Sequence, residues 1–159
     1  MKKDSEDVEA LREEIRALKE ELAEYKQLVK DVSAPIIPSI IPETILVPLT
    51  GKMSQERFEG IVSALMDACY KNGVETVIID FTAISRNKME ETELLGQLID
   101  QLVDSLNLMG ADTFFVGFTP EFTQELMRSG IRIRPDLNTF LTFRQALQFL
   151  MKKKGMSFA

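Results

Sequence analysis

The sequence predicts an α/β fold: a mixed, mostly parallel sheet covered by about four helices and preceded by a long N-terminal helix. Three observations carry this expectation. The short runs Val74–Phe81 (VETVIIDF) and Thr113–Phe118 (TFFVGF) are nearly all apolar and rich in β-branched and aromatic residues, as strands buried on both faces are. The stretches around them place apolar residues at helical spacing. Residues 4–31 contain no glycine or proline and carry a distinct repeat of their own.

That repeat comes first in the chain. Val8, Leu11, Ile15, Leu18, Leu22, Tyr25 and Val29 step by three and four, the a/d pattern of a coiled coil, and the positions between them are almost all charged. A lone helix cannot bury so narrow a seam, so the pattern implies a partner. The same helix of a second subunit fits, in a parallel dimer with Leu11, Ile15, Leu18, Leu22 and Tyr25 as dimerisation residues. The other reading is a helix folded back on its own domain. Residues 1–32 are therefore expected to form a coiled-coil helix and residues 33–159 the α/β domain.

Pro35 and Pro38 bar continuation of the helix and favour extended backbone. Two short strands are expected at Ile36–Ile41 and Thr44–Leu49. Ser54 then caps a helix over 55–72, with Phe58, Ile61, Val62, Leu65 and Cys69 on one face and Gly73 as its stop. The buried strand Val74–Phe81 leads through the polar loop Ser85-Arg86-Asn87-Lys88 into a helix over 89–109, whose broad apolar face includes Leu95, Leu98, Leu102 and Leu106. After the strand Thr113–Phe118, Thr119 and Pro120 open a helix that reaches Arg128. A short strand at Phe140-Leu141 precedes a last helix over 143–153, capped by Thr142. Strands alternating with helices give a sheet with helical covering and right-handed crossovers.

Composition excludes several functions. The chain has 159 residues and a net charge of −6, which disfavours nucleic acid and anionic membrane surfaces. Its one basic cluster, Lys152-Lys153-Lys154, falls at a helix end, where it complements the helix dipole. There is no histidine, so a histidine-based metal site, a Ser-His-Asp triad and a Cys-His pair are all ruled out. The single cysteine, Cys69, allows no disulfide within the chain, which fits a reducing cytoplasm. No apolar stretch approaches the roughly 18 residues of a membrane span. Neither GxGxxG nor a Walker sequence occurs, so no cofactor is expected. Glu90, Glu91 and Glu93 form an acidic cluster, which adjacency on one helix makes a solvated first turn rather than a metal or acid–base site.

Specific residues narrow the fold. Val77-Ile-Ile-Asp-Phe-Thr-Ala-Ile84 resembles the strand and loop of STAS domains, and so does Leu108-Met-Gly-Ala111 followed by a strand and the turn Gly117-Phe-Thr-Pro-Glu121. Ser129-Gly-Ile131 resembles the closing turn of that family. Ser33-Ala-Pro-Ile-Ile-Pro38 resembles the lead-in of the RsbR-type STAS proteins of bacterial stressosomes. The resemblance covers residues 33–153. It implies the STAS fold and a non-enzymatic scaffold that joins other STAS proteins in a large assembly, binds a switch serine/threonine kinase and controls sigma-factor release by partner exchange. RsbR-type proteins reach their STAS domain from a sensor domain through a helix. This sequence carries such a helix without a sensor domain ahead of it, as a shortened piece or a short family member would.

The resemblance also points to switch positions. In the family a phosphorylated serine or threonine opens the helix after the Asp-containing strand, where phosphate meets unpaired N–H groups and the positive helix end. This sequence departs from the pattern: its Asp80-to-Leu94 loop is about four residues longer. Counting back from Gly110 puts Glu93 at the acceptor position, and a shift of one residue would put Thr92 there. A second acceptor follows the Gly-x-x-Pro-Glu turn, which points to Glu125, with Thr123 two residues earlier. Glutamates at both positions would give permanent negative charge in place of regulated phosphate. They are also ordinary helix residues. Asp80, Thr82, Lys88, Thr119 and Glu121 would make up the partner-binding surface. The alternatives are a free anti-anti-sigma-like regulator acting as a small dimer, or a nucleotide- or lipid-binding STAS-like module.

Overall fold

The computed structural model describes residues 2–32, 35–86, 88–131 and 133–156. Ser33 and Ala34 of the lead-in, Asn87 of the polar loop and the side chain of Val29 lie outside them. The elements are α1 (Lys2–Val32), β1 (Ile37–Pro38), β2 (Thr44–Gly51), α2 (Gln55–Asn72), β3 (Thr76–Ile84), α3 (Met89–Leu108), β4 (Asp112–Val116), α4 (Pro120–Arg128), β5 (Asn138–Phe140) and α5 (Phe143–Lys153). Their order along the chain is also their order in the sheet, β1-β2-β3-β4-β5. β1 runs antiparallel to β2 and the other neighbours are parallel.

β3 is the middle strand and is covered on both faces. Val77, Ile79 and Phe81 point into the core that α2, α3 and α4 complete. Ile78 points the other way, with Phe114 and Val116 of β4, against Ala146, Leu150 and Met151 of α5. This two-sided burial is why the run reads as continuous apolar sequence rather than alternation. Cys69 belongs to the larger core, where burial pushes its thiol pKa up.

Caps fix the helix starts. The side chains of Ser54, Thr119 and Thr142 accept hydrogen bonds from the backbone N–H of Arg57, Phe122 and Gln145 at 3.2, 3.1 and 3.2 Å. Only part of the basic end of α5 is left to the dipole. Lys153 lies 3.5 Å from Asp112, and Lys154 Nζ donates to the carbonyl of Pro42 at 2.9 Å.

Every strand differs at one limit or more from the sequence expectation, and β2 runs on past Leu49 to Gly51. Ile36–Ile41 yields only the two-residue β1, because the chain turns at Ile40 and buries Ile41 beside α5. β3 continues past Phe81 through Thr82-Ala83-Ile84, pairing Thr50 with Ala83 and Gly51 with Ile84 after a bulge. β4 stops at Val116 rather than Phe118, because Gly117 takes φ +89°. β5 is Asn138–Phe140, in register with Phe114–Val116, and leaves out Leu141.

Gly117 is constrained twice. An added Cβ would meet Thr82 N at 2.7 Å, and its φ is one that L side chains rarely adopt. Gly73, at φ +61°, has nothing within 4 Å of an added Cβ. Gly73→Ala should therefore cost only the left-handed backbone penalty of about 1–2 kcal/mol. Gly117→Ala should cost clearly more, with urea unfolding showing a lower midpoint at unchanged slope. Equal losses for the two variants would contradict the close approach of β3 to the β4–α4 turn.

Candidate functional site

Four phenylalanines set the end of the sheet that carries the site. Phe81 of β3 lies 5.8 Å from Phe115 of β4, ring centre to ring centre, and 5.9 Å from Phe122 of α4. Phe118 in the turn packs 5.1 Å from Phe122. Phe122 and Leu126, one helical turn apart, are fully buried and fix which way α4 faces. Glu125 lies three residues after Phe122, and α4 offers it toward the β3–α3 connection.

Arg86 reaches across from that connection. Its guanidinium sits 4.8 Å above the centre of the Phe122 ring. Its Nε lies 3.5 Å from Glu125 Oε2, an ion pair without a hydrogen bond. Around this pair is a cleft of about 210 Å³ lined by Arg86, Lys88, Met89, Thr92, Glu125 and Arg128. Three cations face one carboxylate there, on a chain whose net charge is −6. α3 begins at the same cleft with Lys88 as its N-cap residue and no side-chain cap. The cleft is suited to recognising charge. No nucleophile in its lining is paired with a base.

The expected switch residues divide between the cleft and its surroundings. Lys88, Thr92 and Glu125 line it. Thr92 is only 4% exposed, and its hydroxyl donates to the Lys88 carbonyl at 3.4 Å. Glu93 is exposed on α3, outside the lining. Thr123 is half-buried and donates to the carbonyl of Thr119 at 3.1 Å. Asp80 accepts from the backbone N–H of Thr82 at 2.8 Å and from its hydroxyl, so these two brace each other beside Gly117. Thr119 caps α4, and Glu121 is exposed in its first turn.

The acidic cluster is not uniformly solvated. Glu90 and Glu93 are exposed, but Glu91 is 7% exposed and accepts a hydrogen bond from the Ser85 hydroxyl at 3.1 Å. Glu91 thus closes the β3–α3 connection from inside. Sequence reasoning also missed Arg86 and Arg128 as site residues. The one available signal was a pair of arginines flanking the two expected acceptor positions. Among the described residues no cluster of three or more His, Cys, Asp or Glu is placed to hold a metal ion, and no helix is long and apolar enough to cross a membrane.

Comparison with known proteins agrees with the fold. No family model matches the chain. The Bacillus subtilis RsbT co-antagonist proteins RsbRB and RsbRA are each 28% identical to it, over 106 and 117 residues, or 67% and 74% of this chain. The matched stretches amount to 36% and 39% of those two proteins, so the chain spans well under half the length of the curated relatives it matches. Among solved structures, a serine-to-glutamate variant of Moorella thermoacetica RsbS superposes with a TM-score of 0.62 at 16% identity, covering 77% of this chain and 98% of that one. A chain from the structure titled "Molecular architecture of the stressosome, a signal integration and transduction hub" gives 0.54 at 16% identity, covering 77% of this chain and all of that one.

A five-stranded sheet with this order, covered on both faces and closed by the Gly-Phe-Thr-Pro-Glu turn, is the STAS fold that the RsbS chain also has. In sequence the chain is similar to the RsbR-type proteins.

The Arg86–Glu125 pair is open to a direct test. Arg86→Ala and Glu125→Ala, alone and together, should show a coupling below about 1 kcal/mol in urea unfolding, shrinking as salt is added. Arg86→Ala alone should lose roughly a further 0.5–1 kcal/mol from its stacking on Phe122. A coupling of zero at low salt would show the pairing to be incidental.

Proposed function

We propose that this chain is a non-enzymatic STAS scaffold and regulator in a bacterial stress-signalling assembly of the stressosome type. It binds and sequesters a switch serine/threonine kinase in sigma-factor partner switching. The observation that carries the reading is the cleft between the start of α3 and α4, which holds one of the two acceptor-equivalent positions, Glu125, and has the other, Glu93, exposed on its α3 side. The similarity to proteins named RsbT co-antagonists supports it.

In this reading the kinase-facing surface carries fixed charge. Glu93 stands exposed where a phosphate would be added, and Glu125 is held by Arg86 where a second would be. A carboxylate supplies one charge and two oxygens against nearly two charges and three oxygens for phosphate, so it mimics the modified state only in part. Asp80, Thr82, Lys88, Thr119 and Glu121 extend the same partner face. The chain works as a homodimer through α1, outside membranes and in the cytoplasm, without nucleic acid or cofactor.

Incubation with the cognate kinase tests the fixed-charge surface. Glu93→Lys and Glu125→Lys should each raise the dissociation constant for the kinase about tenfold, while circular dichroism stays unchanged. Mass spectrometry should find no stoichiometric phosphate on Thr92 or Thr123. Full phosphorylation of Thr92 would refute permanent charge and make that residue the switch.

A further inference from the structure

α3 and α5 carry charge of opposite sign. Residues 89–108 hold Glu90, Glu91, Glu93, Asp100 and Asp104 and no lysine or arginine. Residues 137–159 hold Arg144, Lys152, Lys153 and Lys154 and no acidic residue. Part of each set is used within the chain. Glu91 accepts from Ser85, and Asp104 pairs with Arg134 at 2.6 Å. Lys153 and Lys154 hold Asp112 and the Pro42 carbonyl. Glu93 and Asp100 on α3, and Arg144 and Lys152 on α5, make no ion pair among the described residues.

These four charges sit on ridges of matching spacing. Arg144, Gln148 and Lys152 step by four along the exposed face of α5. Glu93, Gln97 and Asp100 step by four and three along α3. Residues at such steps are neighbours on one helix face. Each ridge therefore reads charge, amide, charge, over about 12 Å on α5 and about 10 Å on α3. Laid together, the ridges set two cations against two carboxylates, with the amides of Gln97 and Gln148 between them. Both have an apolar margin: Phe149 is 46% exposed on α5, and Leu94 is half-buried on α3. Two α5 ridges, or two α3 ridges, would set like charges against each other.

We infer that the α5 ridge of one copy of this chain docks on the α3 ridge of a second copy. The inference rests on the assembly proposed above and adds the faces through which it extends. α3 packs on one face of the sheet and α5 on the other. A contact between these unlike faces leaves a free α3 ridge on one copy and a free α5 ridge on the other, so it does not end at two subunits. Pairing through α1 uses a different surface, and the two contacts together link dimers into larger particles. Glu93 also belongs to the proposed kinase-facing surface, so kinase and neighbouring copy compete for that end of α3.

Sedimentation velocity of the full chain over a wide range of concentration reads the contact. At low salt, species heavier than the dimer should grow with concentration, and they should recede as salt is added. Arg144→Glu/Lys152→Glu and Glu93→Lys/Asp100→Lys should each weaken this step at least tenfold and leave the dimer intact. A mixture of the two variants should recover it, because each reversed ridge then meets a complementary ridge on the other variant. Heavy species that survive either reversal, or a mixture no heavier than its parts, would overturn the contact. A chain that stays dimeric at every concentration, yet co-assembles with another STAS protein, would overturn this inference and leave the scaffold reading standing.

Discussion

The contact on which the site depends is the packing of Phe122 against Phe81 and Phe118. It is an apolar contact, yet it decides where charge is displayed. Phe122 and Leu126 turn one face of α4 into the core, and the helix period then points Glu125 at the β3–α3 connection. The same ring gives Arg86 a surface to lie on, which holds the guanidinium beside that carboxylate. Gly117 makes this possible, because only a residue without Cβ lets the turn before α4 close onto Thr82. Burial, turn geometry and surface charge at this end of the sheet are therefore parts of one arrangement.

Much of the fold was legible in the sequence because its punctuation is local. Ser54 and Gly73 bound α2 at the expected residues, and Thr119-Pro120 and Thr142 did the same for the starts of α4 and α5. The strand ends were less legible. Thr82 and Ala83 carry no strong strand signal, and they join β3 because β2 extends alongside to offer Thr50 and Gly51. The cleft was least legible. Its two sides are almost forty residues apart in sequence, and buried Glu91 accepts a hydrogen bond from the Ser85 hydroxyl, six residues earlier. Acceptor positions reached by counting do not reveal which side chains meet. Thr92 and Glu93 are neighbours in sequence, yet one is buried and the other exposed.

The N-terminal helix works by a different physical logic. The α/β domain buries most of its large apolar side chains in two clusters, whereas α1 displays an exposed apolar stripe. Helix and domain meet at Lys26 and Glu56, where an ion pair joins the end of the rod to the first turn of α2. A helix that displays an apolar stripe and a domain with a charged cleft are the two features on which the proposed scaffold role rests.

That description is tested most directly by the mass of the particle the chain forms when mixed with a small STAS protein of the RsbS type, measured by light scattering after gel filtration. The account predicts co-elution in an assembly far heavier than a dimer, and its loss when α1 is removed. Separate elution of the two proteins, with this chain remaining a free dimer, would contradict the scaffold and leave a stand-alone regulator in its place.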